Sequence, residues 1–249
     1  MEKNNRGLLI TLIILLSIIA LLLSGMFTFS LISGTRLLGS FIPIKAQTIF
    51  DQSYNADEIK NIAIDSSAGD ITVKVSNDGK IRLTANGLSS DNFSAVADGS
   101  TLSISSKELK GKYKFFPFGA LKEGTDIVLY IPREIDSVDI TSNFGNIDIE
   151  NYIVTNLTIN TDMGNIDAEK LGGSFDINTN MGNIDIEKID ITSNSKAATN
   201  MGDIDIERTN EINIYAKTSM GDCDVKDNTP TASVILTAQT DMGNIDIND

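Results

Sequence analysis

Through the second half of the chain, apolar and polar side chains alternate with a period of two. Leu157, Ile159 and Thr161 stand on one side of that alternation before Gly164, and Ile166 and Ala168 resume it afterwards. Phe175, Ile177 and Thr179 precede Gly182 in the same way, and Ile184 and Ile186 follow it. A period of two sends successive side chains to opposite faces of an extended chain, so each stretch predicts a strand with one buried face. β-branched residues dominate these strands, and the Gly-Asn or Gly-Asp between them supplies the backbone freedom of a sharp corner.

The corner phrase recurs. It reads "NFGNIDIE" at Gly145, "DMGNIDAE" at Gly164, "NMGNIDIE" at Gly182, "NMGDIDIE" at Gly202, "SMGDCDVK" at Gly221 and "DMGNIDIN" at Gly243, with spacings of 19, 18, 20, 19 and 22 residues. A period near twenty with strand grammar signals units that bury their apolar faces only by stacking on one another. The expected fold is all-β, a single parallel β-solenoid with coils of about 19 residues, stacked in chain order so that Gly243 lies in the outermost coil.

Stacking at about 4.8 Å turns equivalent positions into files along the axis. The residues two and four after each glycine are expected to point inward, and this places Cys223 in the core. Met163, Met181, Met201, Met220 and Met242, with Phe144 ahead of them, are expected to form a second file beside the corner. Stacked thioethers can hold soft metals such as copper(I), but filling an irregular apolar corner is their commoner use, and burial is the expectation here. Asp148, Asp167, Asp185, Asp205, Asp224 and Asp246 fall three after their glycines, on the outward side. Neighbouring charges in such a file repel by roughly 0.9 kcal/mol even in bulk water. The file is therefore expected either to be solvated, screened and hydrogen-bonded to backbone or to the adjoining Asn/Asp file, or to bridge hard cations between coils. The first reading is preferred. No catalytic, cofactor or metal residues are assigned.

Charge and composition narrow the functional classes. The chain of 249 residues has a net charge of −14, and residues 136 to 249 carry 21 acidic against 6 basic side chains, leaving residues 1 to 135 near neutral. Such a surface repels phosphate backbones, which argues against nucleic acid and allows cations or basic partners. With no His, no Trp and one Cys, the commonest general base, zinc ligand and internal disulfide are missing.

Near the amino terminus, residues 7 to 35 are uncharged over 29 positions. A bilayer-spanning helix needs about 20 apolar residues, whereas a cleavable signal has an apolar region of about 7 to 15 and a small-residue cleavage site, which is not evident here. Lys3 and Arg6 precede the segment, so residues 1 to 6 are expected in the cytoplasm, 7 to 35 in the membrane, 36 to 60 as a stalk and 61 to 249 outside. Within 61 to 249, residues 61 to 135 read as irregular first coils and 136 to 249 as the regular repeats. "KYKFFPFGALKEG" interrupts the first part and gathers Phe115, Phe116 and Phe118, which would cover the solenoid's flank or contact a membrane or partner.

An anchor, alternating strands, the strand "IVLYIP" and the serial "GNIDI" phrases together resemble the bacterial putative-adhesin family of membrane-anchored β-strand-repeat proteins, a domain of unknown function. The likeness spans about residues 60 to 249, and the layout is similar to the anchored member of a Gram-positive envelope-stress locus. It implies a parallel β-solenoid at the cell envelope and brings no catalytic residues with it. The expected role is a non-enzymatic binding or structural module, concerned with adhesion or envelope stress, whose partner is an envelope protein or polysaccharide. The alternatives are a carbohydrate-active β-helix enzyme, since parallel β-helices host paired carboxylates, and a rod stabilised by divalent cations.

Overall fold

A computed structural model describes residues 46–87, 89–107, 124–133, 135–150 and 156–248. The expected anchor at 7–35, residues 36–45 of the stalk and Phe115, Phe116 and Phe118 lie outside the described residues. Among the described residues no helix is long and apolar enough to cross a membrane.

The alternation forms strands, and each glycine phrase turns one strand into the next. One series comprises β2 (Asn61–Ser66), β6 (Thr101–Ser106), β8 (Ser137–Phe144), β10 (Asn156–Met163), β12 (Leu171–Met181), β14 (Ser195–Met201), β16 (Asn213–Met220) and β18 (Ile235–Met242). The other comprises β3 (Ile71–Val75), β7 (Asp126–Ile131), β9 (Ile147–Glu150), β11 (Ile166–Ala168), β13 (Ile184–Ile191), β15 (Ile204–Arg208), β17 (Cys223–Val225) and β19 (Ile245–Asn248). A first-series strand, a glycine corner and a second-series strand make one coil, and strands of each series pair in parallel with their counterparts in neighbouring coils. The result is an all-β, solenoid-like stack.

The coils do not stack in chain order. Among the described residues, β14 pairs with β18 and β15 with β19, while β16 and β17 pair only with β18 and β19. The coil of Gly243 is thus inserted between those of Gly202 and Gly221, and the Gly221 coil is outermost. This corrects the expectation that Gly243 ends the stack. The opposite end is reordered too, because β2 and β3 lie between β6/β7 and β8/β9. There the pairing also ceases to be wholly parallel. β5 (Phe93–Asp98) runs antiparallel to β6, and β4 (Lys80–Gly87) runs antiparallel to both β7 and β1 (Gln47–Asn55). Residues 47–55, assigned to the stalk from sequence, therefore form a strand of the sheet.

The inner faces make the core. Ile147, Ile166, Ile184, Ile204 and Ile245 stack in register and are no more than 1% exposed, and Ile149, Ala168, Ile186, Ile206 and Ile247 form a second buried file. In the first series Ile64, Ile104, Ile140, Ile159 and Ile177 continue into Ala197 and Ala238. Burying such side chains supplies about 1.5–3 kcal/mol each relative to exposure, and each burial depends on the coil above and the coil below.

Closeness of the backbones at the corner explains the glycines. A Cβ on Gly164 would lie 2.0 Å from the carbonyl oxygen of Gly145, and Gly182 has φ +153 with the Gly164 oxygen at the same separation. No other residue fits both the space and the dihedral. Gly69 belongs to the same file, one coil before Gly145, whose Cβ would meet the Gly69 oxygen at 2.1 Å.

Candidate functional site

Three residues after each corner glycine, the Asp file runs along the outer face of the second-series sheet. Its order in space is Asp148, Asp167, Asp185, Asp205, Asp246, Asp224, the last two exchanged relative to the chain. Two residues further along each strand the alternation returns to the same face and places Glu150, Glu169 and Glu187 beside the first three aspartates. These six carboxylates line an open depression of about 230 Å³ floored by Ile149 and Ala168. The glutamates were not singled out from sequence, although the period of two that locates the aspartates also locates them. At one end of the face Thr72 and Lys74 take the positions of the Asp and Glu files, and the Lys74 ammonium meets the Glu150 carboxylate at 2.7 Å. That hydrogen bond, against a smaller desolvation, raises the Lys74 pKa.

Partial burial, with like charges nearby, alters the carboxyls themselves. Partial burial raises the pKa of Asp148 first, with Asp70 and Glu150 adding to it and Lys74 opposing. Burial likewise raises Asp167, helped by Asp148 and Asp185, and raises Asp205, helped by Asp185 and Asp246. Desolvation is the leading cause in all three, because the walls of the stacked strands displace part of their water. Among the described residues no group of three or more His, Cys, Asp or Glu side chains is arranged to hold a metal ion.

The adjoining Asn/Asp file has a structural role. Each side-chain oxygen accepts the backbone N–H of the equivalent residue in the next coil, from Asn146 to Asn165, Asn165 to Asn183, Asn183 to Asp203, Asp203 to Asn244 and Asn244 to Asp222, at 2.7–3.0 Å. Asp126 and Asp70 extend the ladder backwards to Asn146. The corner amides thereby find acceptors where the strand ladders are interrupted. Thr179, Thr199, Thr240 and Thr218 add a second ladder, their hydroxyls donating to the carbonyls of Gly164, Gly182, Gly202 and Gly243.

Two further sequence expectations fail at the corner and the end. Phe144, Met181, Met201 and Met242 are 39–43% exposed, Met220 is 62% exposed and Met163 is half-buried, so the methionine file is a largely exposed stripe. Each stands at the end of its strand, immediately before the corner glycine, where the chain turns away and leaves the side chain at the margin of the core although the alternation through Thr161, Thr179 and Thr199 points it in. Cys223 is exposed as well. It pairs with the buried Ile245 but, among the described residues, has no coil beyond it to cover its other side.

The sequence profile of the family described as Toastrack DUF4097 matches residues 59–248. Among solved structures, the chain is similar to a putative cell adhesion protein from Clostridium sporogenes, with 9% identity, TM-score 0.48 and coverage of 82% of this chain and 99% of that one. It is also similar to a putative adhesin from Bacteroides fragilis, with 18% identity, TM-score 0.45 and coverage of 80% and 96%. A third neighbour is a putative lipid binding protein from Parabacteroides distasonis, with 17% identity, TM-score 0.38 and coverage of 80% and 95%. Comparison with curated proteins gives no match.

Proposed function

We propose, on the premise that this chain belongs to the Toastrack DUF4097 family, that it is a membrane-anchored, extracytoplasmic binding or structural module of the cell envelope and not an enzyme. The observation that carries this reading is the acidic face: two in-register carboxylate files on a backbone held coil to coil by the Asn/Asp and Thr ladders. A rigid row of like charges matches a repeating or extended partner of basic character, such as an envelope protein segment or an amino-bearing polysaccharide. Hydrolytic chemistry is disfavoured because the carboxylates repeat evenly along an open depression and are not gathered at one point.

Crosslinking in living cells tests the binding role. The wild-type chain is expected to capture a defined envelope component, and the variant Asp148→Asn, Asp167→Asn, Asp185→Asn to lose it; equal capture by both, or none by either, would overturn the reading. Placement is tested separately. Cys223 is exposed and is the single cysteine of the sequence. A membrane-impermeant maleimide should label it in intact cells, and labelling only after lysis would refute an extracytoplasmic domain.

A further inference from the structure

Every methionine between residues 46 and 249 stands in one file. Met163, Met181, Met201, Met242 and Met220 follow one another, in that spatial order, at in-register positions of adjacent strands, with Phe144 beside Met163 at the head. Their backbones are fixed. The carbonyl oxygen of each accepts the N–H of a corner glycine in the neighbouring coil at 2.9–3.0 Å: Gly145 for Met163, Gly164 for Met181, Gly182 for Met201, Gly202 for Met242 and Gly243 for Met220. Adjacent side chains therefore leave the backbone about 4.8 Å apart, the interstrand distance.

Packing does not account for this choice of residue. A side chain about two-fifths exposed contributes only part of its apolar surface to the interior, and Phe144 shows that a side chain without sulfur fits the position. Thioether sulfur is the property that the five residues share and that Phe, Leu and Ile lack. It is a neutral, polarisable donor that selects soft cations over calcium, magnesium or zinc. The surroundings suit a cation. No Lys or Arg lies within two residues of any of the five, while Asp162 and Asp241 immediately precede two of them.

We propose that this exposed methionine file binds a soft monovalent cation, copper(I) or silver(I), between thioethers of adjacent coils. Binding is simple coordination, with no change of oxidation state. Five thioethers in a row make two independent neighbouring pairs, which sets a capacity of about two ions per chain when each ion takes two sulfurs. The acidic surface raises the local concentration of any cation, but the sulfur file alone discriminates by softness. This inference does not depend on the envelope role above.

The test uses the full chain in detergent with Cys223→Ser, which removes the one thiol. Silver(I) is titrated in chloride-free buffer and followed by native mass spectrometry, and copper(I) is titrated anaerobically against a chromogenic chelator. Saturable uptake of about two ions is expected, unaffected by a tenfold excess of calcium or zinc, with shifts of the methionine methyl resonances. Met181→Leu, Met201→Leu, Met242→Leu should weaken binding at least tenfold while leaving circular dichroism and Tm near those of the parent. If that variant loses its fold, the methyl shifts of the parent decide alone. The proposal is overturned if the Cys223→Ser chain takes up no silver(I), if the leucine variant binds as well as the parent, if calcium displaces the ion, or if the methyl resonances stay unmoved.

Discussion

The coil of Gly202 and the coil of Gly221 are written in nearly the same letters, "NMGDIDIE" and "SMGDCDVK", yet they occupy different surroundings. In the first, Ile204 and Ile206 are completely buried between the coils of Gly182 and Gly243. In the second, Cys223 is exposed and Val225 half-buried, since among the described residues only one side has a neighbour. A repeat phrase specifies the shape of a coil, whereas burial comes from the coils beside it. The outermost coil accordingly carries the more polar version, with Lys217, Asp222 and Lys226 along an open strand edge, which discourages further strands from adding there.

The largest effect should come from removing what separates the two coils. Deleting residues 235–249 takes away β18 and β19, the only strands with which β16 and β17 pair among the described residues. The expected result is loss of protection in hydrogen exchange across 209–234 and exposure of Ile204 and Ile206; protection equal to that of the full chain would break the comparison.

Next comes the corner. Gly182→Ala drives a methyl into the Gly164 carbonyl, with the Gly202 coil blocking any retreat, and should cost at least about 3 kcal/mol in urea unfolding. Gly221→Ala meets the Gly243 oxygen at the same 2.0 Å, but its coil is free to move outward. It should cost clearly less, and equal losses would mean that the outer coil is held as firmly as the inner one.

Interior apolar positions should differ by a smaller margin. Ile204→Ala is expected to cost about 2–5 kcal/mol, as for other large-to-small changes at fully buried sites. Cys223→Ala, at the equivalent but exposed position, should stay within about 0.5 kcal/mol. Thermal denaturation of the two variants measures the difference directly.

Smallest is the charge on the outer face. Asp148, Asp167 and Asp205 have pKa values raised above 3.8 in the folded chain. Each binds its proton more tightly folded than unfolded, so its contribution to stability grows as the pH falls from neutral through the raised value and is complete below 3.8. Asp148→Asn, Asp167→Asn, Asp205→Asn should therefore melt slightly higher than wild type at pH 7, by a few tenths of a kcal/mol per site in low salt. The gap should close as the pH is lowered towards 4 or as salt is added; a gap independent of both would remove the electrostatic account.

Much of this fold is legible in the sequence because two signals coincide. The alternation through Leu157, Ile159 and Thr161 fixes which side chains point inward, and the glycine spacing fixes where each coil turns. Stacking order is less legible, since the phrases at Gly221 and Gly243 present nearly equivalent edges to the Gly202 coil. The clues lie in the longer 22-residue interval with its "KDNTPTASV" connection, and in Cys223 standing where other coils have Ile. The methionine file was expected to fill the corner, but the backbones there approach so closely that Gly145 and Gly164 leave no room for a Cβ, and most of the thioethers lie at the surface. At the site, the Asp file was readable from register, while the Glu file that completes the depression required following the same strand two residues further.

The inserted coil also constrains the timing of folding. A ribosome delivers residues 213–225 before 235–248, yet the earlier segment has no partner in the stack until the later one arrives. An inward-out assembly that simply lays each new turn on the last therefore stalls after Gly202. The coil of Gly243 must first dock on that of Gly202, and only then does the earlier-made coil of Gly221 gain an edge to close against.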